Sequence, residues 1–96
     1  MVFLIVRVKS VVKAMDELQR NDDRKFKKVR KTLALLSANP KHPGLKSHKR
    51  EAEKGPGGED IWESYVENNT QSAWRVFWYY GQDPGTITVF AITPHP

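Results

Sequence analysis

Five side chains from residue 46 onward are of types that could do chemistry together: Lys46, His48, Arg50, Arg75 and His95. The first three alternate in one short piece, and an extended backbone would send alternate side chains to the same side. Arg75 stands inside the aromatic run Trp74 to Tyr80, and His95 follows the β-branched run Thr86 to Thr93. Histidine takes up or gives a proton near neutral pH, and a guanidinium fork matches the oxygens of a phosphate. Cleavage of RNA by transesterification asks for such a set. A base removes the 2′-OH proton, cations stabilise the phosphorane, and an acid protonates the leaving 5′-oxygen. That scheme requires neither metal nor cofactor.

Each of these residues also has a plainer reading. Arg75 could be a solvated strand residue paired with Glu63 or Glu67, and His48 a polar strand residue. His42 precedes Pro43 in a turn, and His95 could be solvent-exposed. Trp62, Trp74 and Trp78 are most simply core, although an exposed ring could stack on a base. Other chemistries find less support. Without cysteine there is no disulfide framework, no thiolate metal site and no thiol nucleophile. The spacings of His42, His48 and His95 match no common zinc pattern. Gly55 to Gly58 has no Lys or Ser/Thr where a phosphate loop needs one. Glu63 and Glu67, four apart on a strand, would stand about 13 Å apart, too far for a working pair.

The elements that must position these residues read as follows. Val2 to Val8 is an apolar, β-branched strand interrupted by Arg7. Ser10 is a candidate N-cap for a helix carrying Val11, Ala14, Met15 and Leu18 at helical spacing. Polar Asn21-Asp22-Asp23 divides it from a second helix, on which Phe26, Val29, Leu33 and Leu36 form the apolar stripe. Arg24, Lys25, Lys27, Lys28, Arg30 and Lys31 load its other side, and Asn39-Pro40 ends it. Lys41 to Gly44 is a turn, Leu45 to Arg50 a short extended piece, and Glu51 to Asp60 a glycine-rich loop. Ile61 to Glu67, Trp74 to Tyr80 and Thr86 to Thr93 then form a three-stranded meander. In Trp74 to Tyr80, alternation puts Trp74, Val76, Trp78 and Tyr80 toward the core and Arg75, Phe77 and Tyr79 on the other face. Helices gathered ahead of antiparallel strands predict an α+β domain, a helical hairpin on one face of a small, mainly antiparallel twisted sheet. The other face is left open.

The 96 residues suit one domain, 1–96. Fifteen of the 16 Lys and Arg residues lie in 1–54 beside only six Asp and Glu, while 55–96 holds Arg75 and five acidic residues. So lopsided a charge points to a polyanionic partner for the first half, nucleic acid being the commonest, or to ordinary solubility charge on helices. No apolar run nears the roughly 20 residues that span a bilayer, and Val2 to Val6 is too short for a signal peptide. A soluble cytoplasmic protein without a membrane partner is the expectation.

Several stretches, in order, resemble the RelE/ParE toxin superfamily, small bacterial proteins of toxin–antitoxin modules. They are Leu-Ser-Ala-Asn-Pro (36–40), His-Pro-Gly-Leu-Lys-Ser-His-Lys (42–49) and Ile-Trp-Glu-Ser-Tyr-Val (61–66). The strand 74–80 and Ile-Thr-Val-Phe-Ala-Ile-Thr-Pro-His (87–95) complete the match. The resemblance covers residues 24–95 and implies a helical hairpin on an antiparallel sheet. It further implies a toxin that enters the ribosomal A site and cuts bound mRNA. By it, Arg75 matches the strand arginine that contacts the scissile phosphate, and His95 a C-terminal histidine that transfers protons. Lys46 and His48 match basic or histidine positions ahead of the meander. Lys27, Lys28, Lys31, Lys49 and Arg50 would face RNA or ribosome. No cofactor is implied, and the implied partner is an acidic, partly disordered antitoxin covering the basic surface. Only Pro96 follows His95, so the tyrosine or phenylalanine often found near the end of active members is missing. The ParE-like branch, which poisons DNA gyrase and lacks the nuclease set, is the alternative. A non-toxic orphan that only binds an antitoxin or nucleic acid is another.

Overall fold

Residues 2–68 and 70–94 are described by a computed structural model. β1 (Leu4–Arg7) leads into α1 (Lys9–Asn21) and α2 (Asp23–Ala38), then a 3₁₀ turn at Pro43–Leu45. Four strands follow: β2 (His48–Lys54), β3 (Asp60–Tyr65), β4 (Trp74–Tyr80) and β5 (Thr86–Pro94). They build one five-stranded sheet in the order β1-β5-β4-β3-β2. β1 runs parallel to β5, and every other neighbouring pair is antiparallel. The helical hairpin carries the chain from β1 at one edge of the sheet to β2 at the other, and the antiparallel run from β2 to β5 returns it to β1.

The apolar stripes meet as their spacing predicts. Val11 and Met15 of α1 and Phe26, Val29, Leu33 and Leu36 of α2 are buried against Val76, Trp78, Ile87, Val89 and Ile92. Burying a side chain of this size contributes about 1.5–3 kcal/mol, so these rows hold both helices on one face. Asp22 separates the helices. Its N–H reaches the Leu18 carbonyl at 2.7 Å, closing α1, and its carboxylate accepts the Lys25 N–H at 3.1 Å, opening α2. Proline follows α2 one residue past its cap, Asn39, where the sequence stops the helix.

Four local expectations are corrected. Val8, not Ser10, caps α1: its carbonyl accepts the N–H groups of Val11 and Val12. Pairing of β1 with β5 leaves the chain only one extended residue before the helix. Glu51 to Lys54 is strand rather than loop, because β2 keeps pairing with β3 past an irregularity between Arg50 and Lys54. Lys46 is not extended but left-handed, at φ 48° and ψ 39°, where it ends the 3₁₀ turn. The strand expected to reach Glu67 ends at Tyr65. Val66 and Glu67 both donate their N–H groups to the Trp74 carbonyl. Such a doubled partner is a bulge, and it sends the Glu67 carboxylate to α2 instead of the open face.

Buried Trp78 ties the start of β2 to this frame. Its Nε1–H donates to Ser64 Oγ at 2.8 Å, and Ser64 Oγ lies 2.6 Å from Ser47 Oγ. Ser47 has one hydroxyl hydrogen and gives it to the Pro40 carbonyl at 3.1 Å, so Ser64 is the donor between the two serines. The chain satisfies every buried polar atom along it. It also fixes Ser47, and with it Lys46 and His48 on either side.

Candidate functional site

β3 and β4 pair Tyr65 with Arg75 and Glu63 with Phe77, so Glu63, Tyr65, Arg75 and Phe77 share the face away from the helices. The Arg75 guanidinium lies over the Tyr65 ring, Cζ 3.6 Å from its centroid. Lys46 Nζ is 5.7 Å from the same centroid, and the His48 ring meets Tyr65 edge-on at 6.3 Å. Cations over an aromatic face are attracted by its quadrupole. Tyr65 therefore gathers the three residues that come from two separate stretches of sequence.

Glu63 is the second gathering point. Its side chain is 2 % exposed, and Arg50 Nη1 donates to Oε1 at 2.8 Å. His48 Nε2 stands 3.4 Å from Oε1, and Arg75 Nε 3.4 Å from Oε2. The Arg50 guanidinium also bonds Glu53 and lies 5.7 Å from the Phe77 centroid, covering Glu63 from solvent. Hydrogen bonds to Glu63 and then Glu53 push its already high pKa further up. His48 Nδ1 is 3.2 Å from the Lys46 carbonyl. A carbonyl only accepts, so Nδ1 donates to it, while Nε2 faces the Glu63 carboxylate.

Arg75 is not a free surface cation. It is 8 % exposed, its Nη1 donates to the carbonyls of Glu67 at 2.8 Å and Trp74 at 3.2 Å, and its buried Nε has no hydrogen-bond partner. The backbone bulge supplies the Glu67 carbonyl. The Glu67 carboxylate meanwhile takes Lys25 at 2.8 Å, Lys28 at 3.1 Å and the Trp74 N–H at 3.2 Å. Burial pushes this carboxyl up, but the bonds from both lysines and the N–H outweigh it and lower it from 4.5 to about 2. α2 is thereby latched to the β3–β4 connection beside Arg75.

The structure brings Lys46, His48, Arg50 and Arg75 together. His95 lies outside the described residues; the strand leading to it pairs Thr93 with Arg75 and Pro94 with Trp74. The remaining basic residues are spread. Lys27 pairs with Asp23 on the exposed side of α2, and Lys28 is held by Glu67. Lys31 is exposed and borders a groove of about 670 Å³ with Lys28, His42 and Tyr65. Lys49 alternates with His48 and Arg50, so it points to the other face of β2. Sequence reasoning weighed Glu63 as a partner for Arg75 and as half of a carboxylate pair too far apart to work, and gave Tyr65 no part. Both lie at alternate positions of Ile-Trp-Glu-Ser-Tyr, but only the register sets them beside Arg75.

The same fold occurs in solved structures of low sequence identity. RelE in the RelE–RelB complex from Pyrococcus horikoshii OT3 aligns with a TM-score of 0.69 at 18% identity, over 98% of this chain and 96% of that one. The YoeB/ParE toxin from Agrobacterium tumefaciens aligns at 0.71 with 16% identity, over 96% and 98%. YoeB from Staphylococcus aureus, solved as a dimer, aligns at 0.71 with 15% identity over the whole of both chains. The chain has the RelE/ParE-like toxin fold, two helices on a five-stranded mixed sheet. No family model and no curated protein sequence matches it. No helix among the described residues is long and apolar enough to cross a membrane.

Proposed function

We propose that this chain is the toxin of a type II toxin–antitoxin pair, an endoribonuclease that acts in the cytoplasm and cuts mRNA on the ribosome. The observation that carries the reading is the convergence of Lys46, His48 and Arg75 on the Tyr65 ring. Arg75 and Lys46 are the cations for the phosphorane. The ring holds the Arg75 guanidinium flat, so little ordering is left for substrate to bring about. His48 exchanges a proton at Nε2, as base on the 2′-OH or acid on the 5′-oxygen. Glu63 touches no substrate in this scheme; it positions Arg50, His48 and Arg75 as one group. None of these steps calls for a metal. His95 is the candidate for the second proton transfer, and Lys27, Lys28, Lys31, Lys49 and Arg50 for contacts to RNA.

The shared fold supports the toxin role, since its solved examples include RelE bound to RelB and YoeB bound to YefM. The partner of this chain is by the same reading an acidic antitoxin covering the basic surface. Induced expression tests the proposal. A ribosome-dependent nuclease stops translation within minutes and leaves new 5′ ends inside coding regions, with 2′,3′-cyclic or 3′-phosphate on the upstream fragments. Intact messages with arrested supercoiling would instead identify a gyrase inhibitor, and unimpaired growth a non-toxic binding protein.

A further inference from the structure

Pro40, His42, Pro43, Ser47, Trp62 and Tyr80 line a groove of about 560 Å³ on the helix side of the sheet. That volume falls within the roughly 300–1,000 Å³ of small-molecule sites. Its floor is aromatic. Trp62 stacks on Trp78 with centroids 5.8 Å apart and planes at 16°. Tyr80 stands nearly perpendicular to both, at 85° to Trp78 and 79° to Trp62. Trp78 is 1 % exposed and serves the core, whereas Trp62 is half-buried and Tyr80 38 % exposed. The core does not need Tyr80 on the surface, and its neighbours leave it a wall standing over a ring floor.

The rim is cationic. Lys41 and Lys46 border the groove, and neither ammonium forms an ion pair among the described residues. His42 accepts the Gly44 N–H at Nδ1, 3.0 Å, which leaves Nε2 as its donor. Lys46 belongs to both places: it borders the groove, and its ammonium lies over Tyr65 in the candidate active site. A single strand of RNA offers the matching chemistry, a flat base for the rings and a phosphate for the lysines.

We infer that the groove is a nucleobase subsite, in which an unpaired base of single-stranded RNA packs against Trp62 and Tyr80 while Lys41 and Lys46 hold its phosphates. It rests on the proposed RNA substrate and adds the place where a base next to the cut would be gripped. An acidic peptide would satisfy the lysines but would leave the ring slot without a stacking partner.

The test titrates the intact chain with a tetraribonucleotide made uncleavable by 2′-O-methyl groups, following the indole N–H resonances by NMR. The Trp62 resonance moves on binding. Tyr80→Leu weakens binding about tenfold, as does one abasic nucleotide at the gripped position, and the two together weaken it little further. Tyr80→Phe, which keeps the ring, binds like the parent and separates stacking from any change of fold. Abasic and intact oligonucleotides binding equally, or a Trp62 resonance that stays still, would overturn the inference. So would a Trp62 resonance that responds only to a purified protein partner. A chain that grips the oligonucleotide yet cuts no mRNA in cells would keep the subsite and lose the nuclease reading.

Discussion

Arg75 and Tyr65, directly paired across β4 and β3, are stacked with the guanidinium carbon 3.6 Å from the ring centroid. The contact ties the open face to the backbone, because the same guanidinium donates to the carbonyls of Trp74 and Glu67. The orientation of Arg75 is thus set by a ring and two carbonyls before any substrate arrives.

Replacing that ring separates packing from hydroxyl chemistry. Tyr65→Phe should keep stability and cleavage close to the parent. Tyr65→Leu should cost about 1 kcal/mol in folding, the scale of a partly desolvated cation–π contact, and lower cleavage well beyond that loss. Urea midpoints and mRNA cleavage in induced cells check both. Cleavage lost in Tyr65→Phe would give the hydroxyl a role that the geometry does not assign to it.

Glu63 should prove structural as well as positioning. Glu63→Ala strips the counter-charge from Arg50 and buried Arg75, and breaking a buried pair costs about 3 kcal/mol. Adding Arg50→Met should cost less than the sum of the two single changes, since the cation left unpaired is then removed. A double-mutant cycle by chemical denaturation reads the coupling.

The Glu67 latch makes a pH prediction. Its folded carboxyl is lowered to about 2 from a usual 4.5. A depressed carboxylate stabilises the fold fully above its unfolded value and loses that stabilisation as pH falls through the folded one. The window is therefore pH 4.5 down to about 2. Glu67→Gln should lower stability at pH 7 by about 2–3 kcal/mol and flatten the profile in that window relative to the parent. Urea midpoints taken across the window test it.

Lys46 is held left-handed at φ 48°, a conformation that costs a side-chain-bearing residue about 1–2 kcal/mol. Lys46→Gly relieves it, at the expense of greater freedom in the unfolded chain. Folding stability should therefore stay level or rise by up to about 1 kcal/mol, while cleavage falls for want of the ammonium over Tyr65. Unchanged cleavage with raised stability would remove Lys46 from the chemistry.

What the sequence disclosed follows from which forces are local. The stripes of α1 and α2, the break at Asp22 and the stop before Pro40 are set by neighbours three or four residues away. All were legible. Arg75 stood out because its strand is otherwise apolar and aromatic. The strand character of Glu51 to Lys54 was hidden, since three of the four residues are charged and the stretch is extended only because β2 pairs with β3. Tyr65 and Glu63 became site residues through register, and register belongs to two strands at once. The bulge at Val66 and Glu67 inverted one carboxylate and had no local signature. Lys28, exposed by helical spacing, is claimed by Glu67 39 residues away.

The most direct measurement compares the parent with Arg75→Ala by primer extension on several messages, minutes after induction. Folding of the variant is checked by NMR, and Arg75→Lys serves as a variant that keeps the charge. The account predicts new 5′ ends in coding regions for the parent, none for a folded Arg75→Ala, and weak cleavage at most for Arg75→Lys, which cannot reproduce the fork. A folded Arg75→Ala that cuts messages and arrests growth like the parent would contradict it.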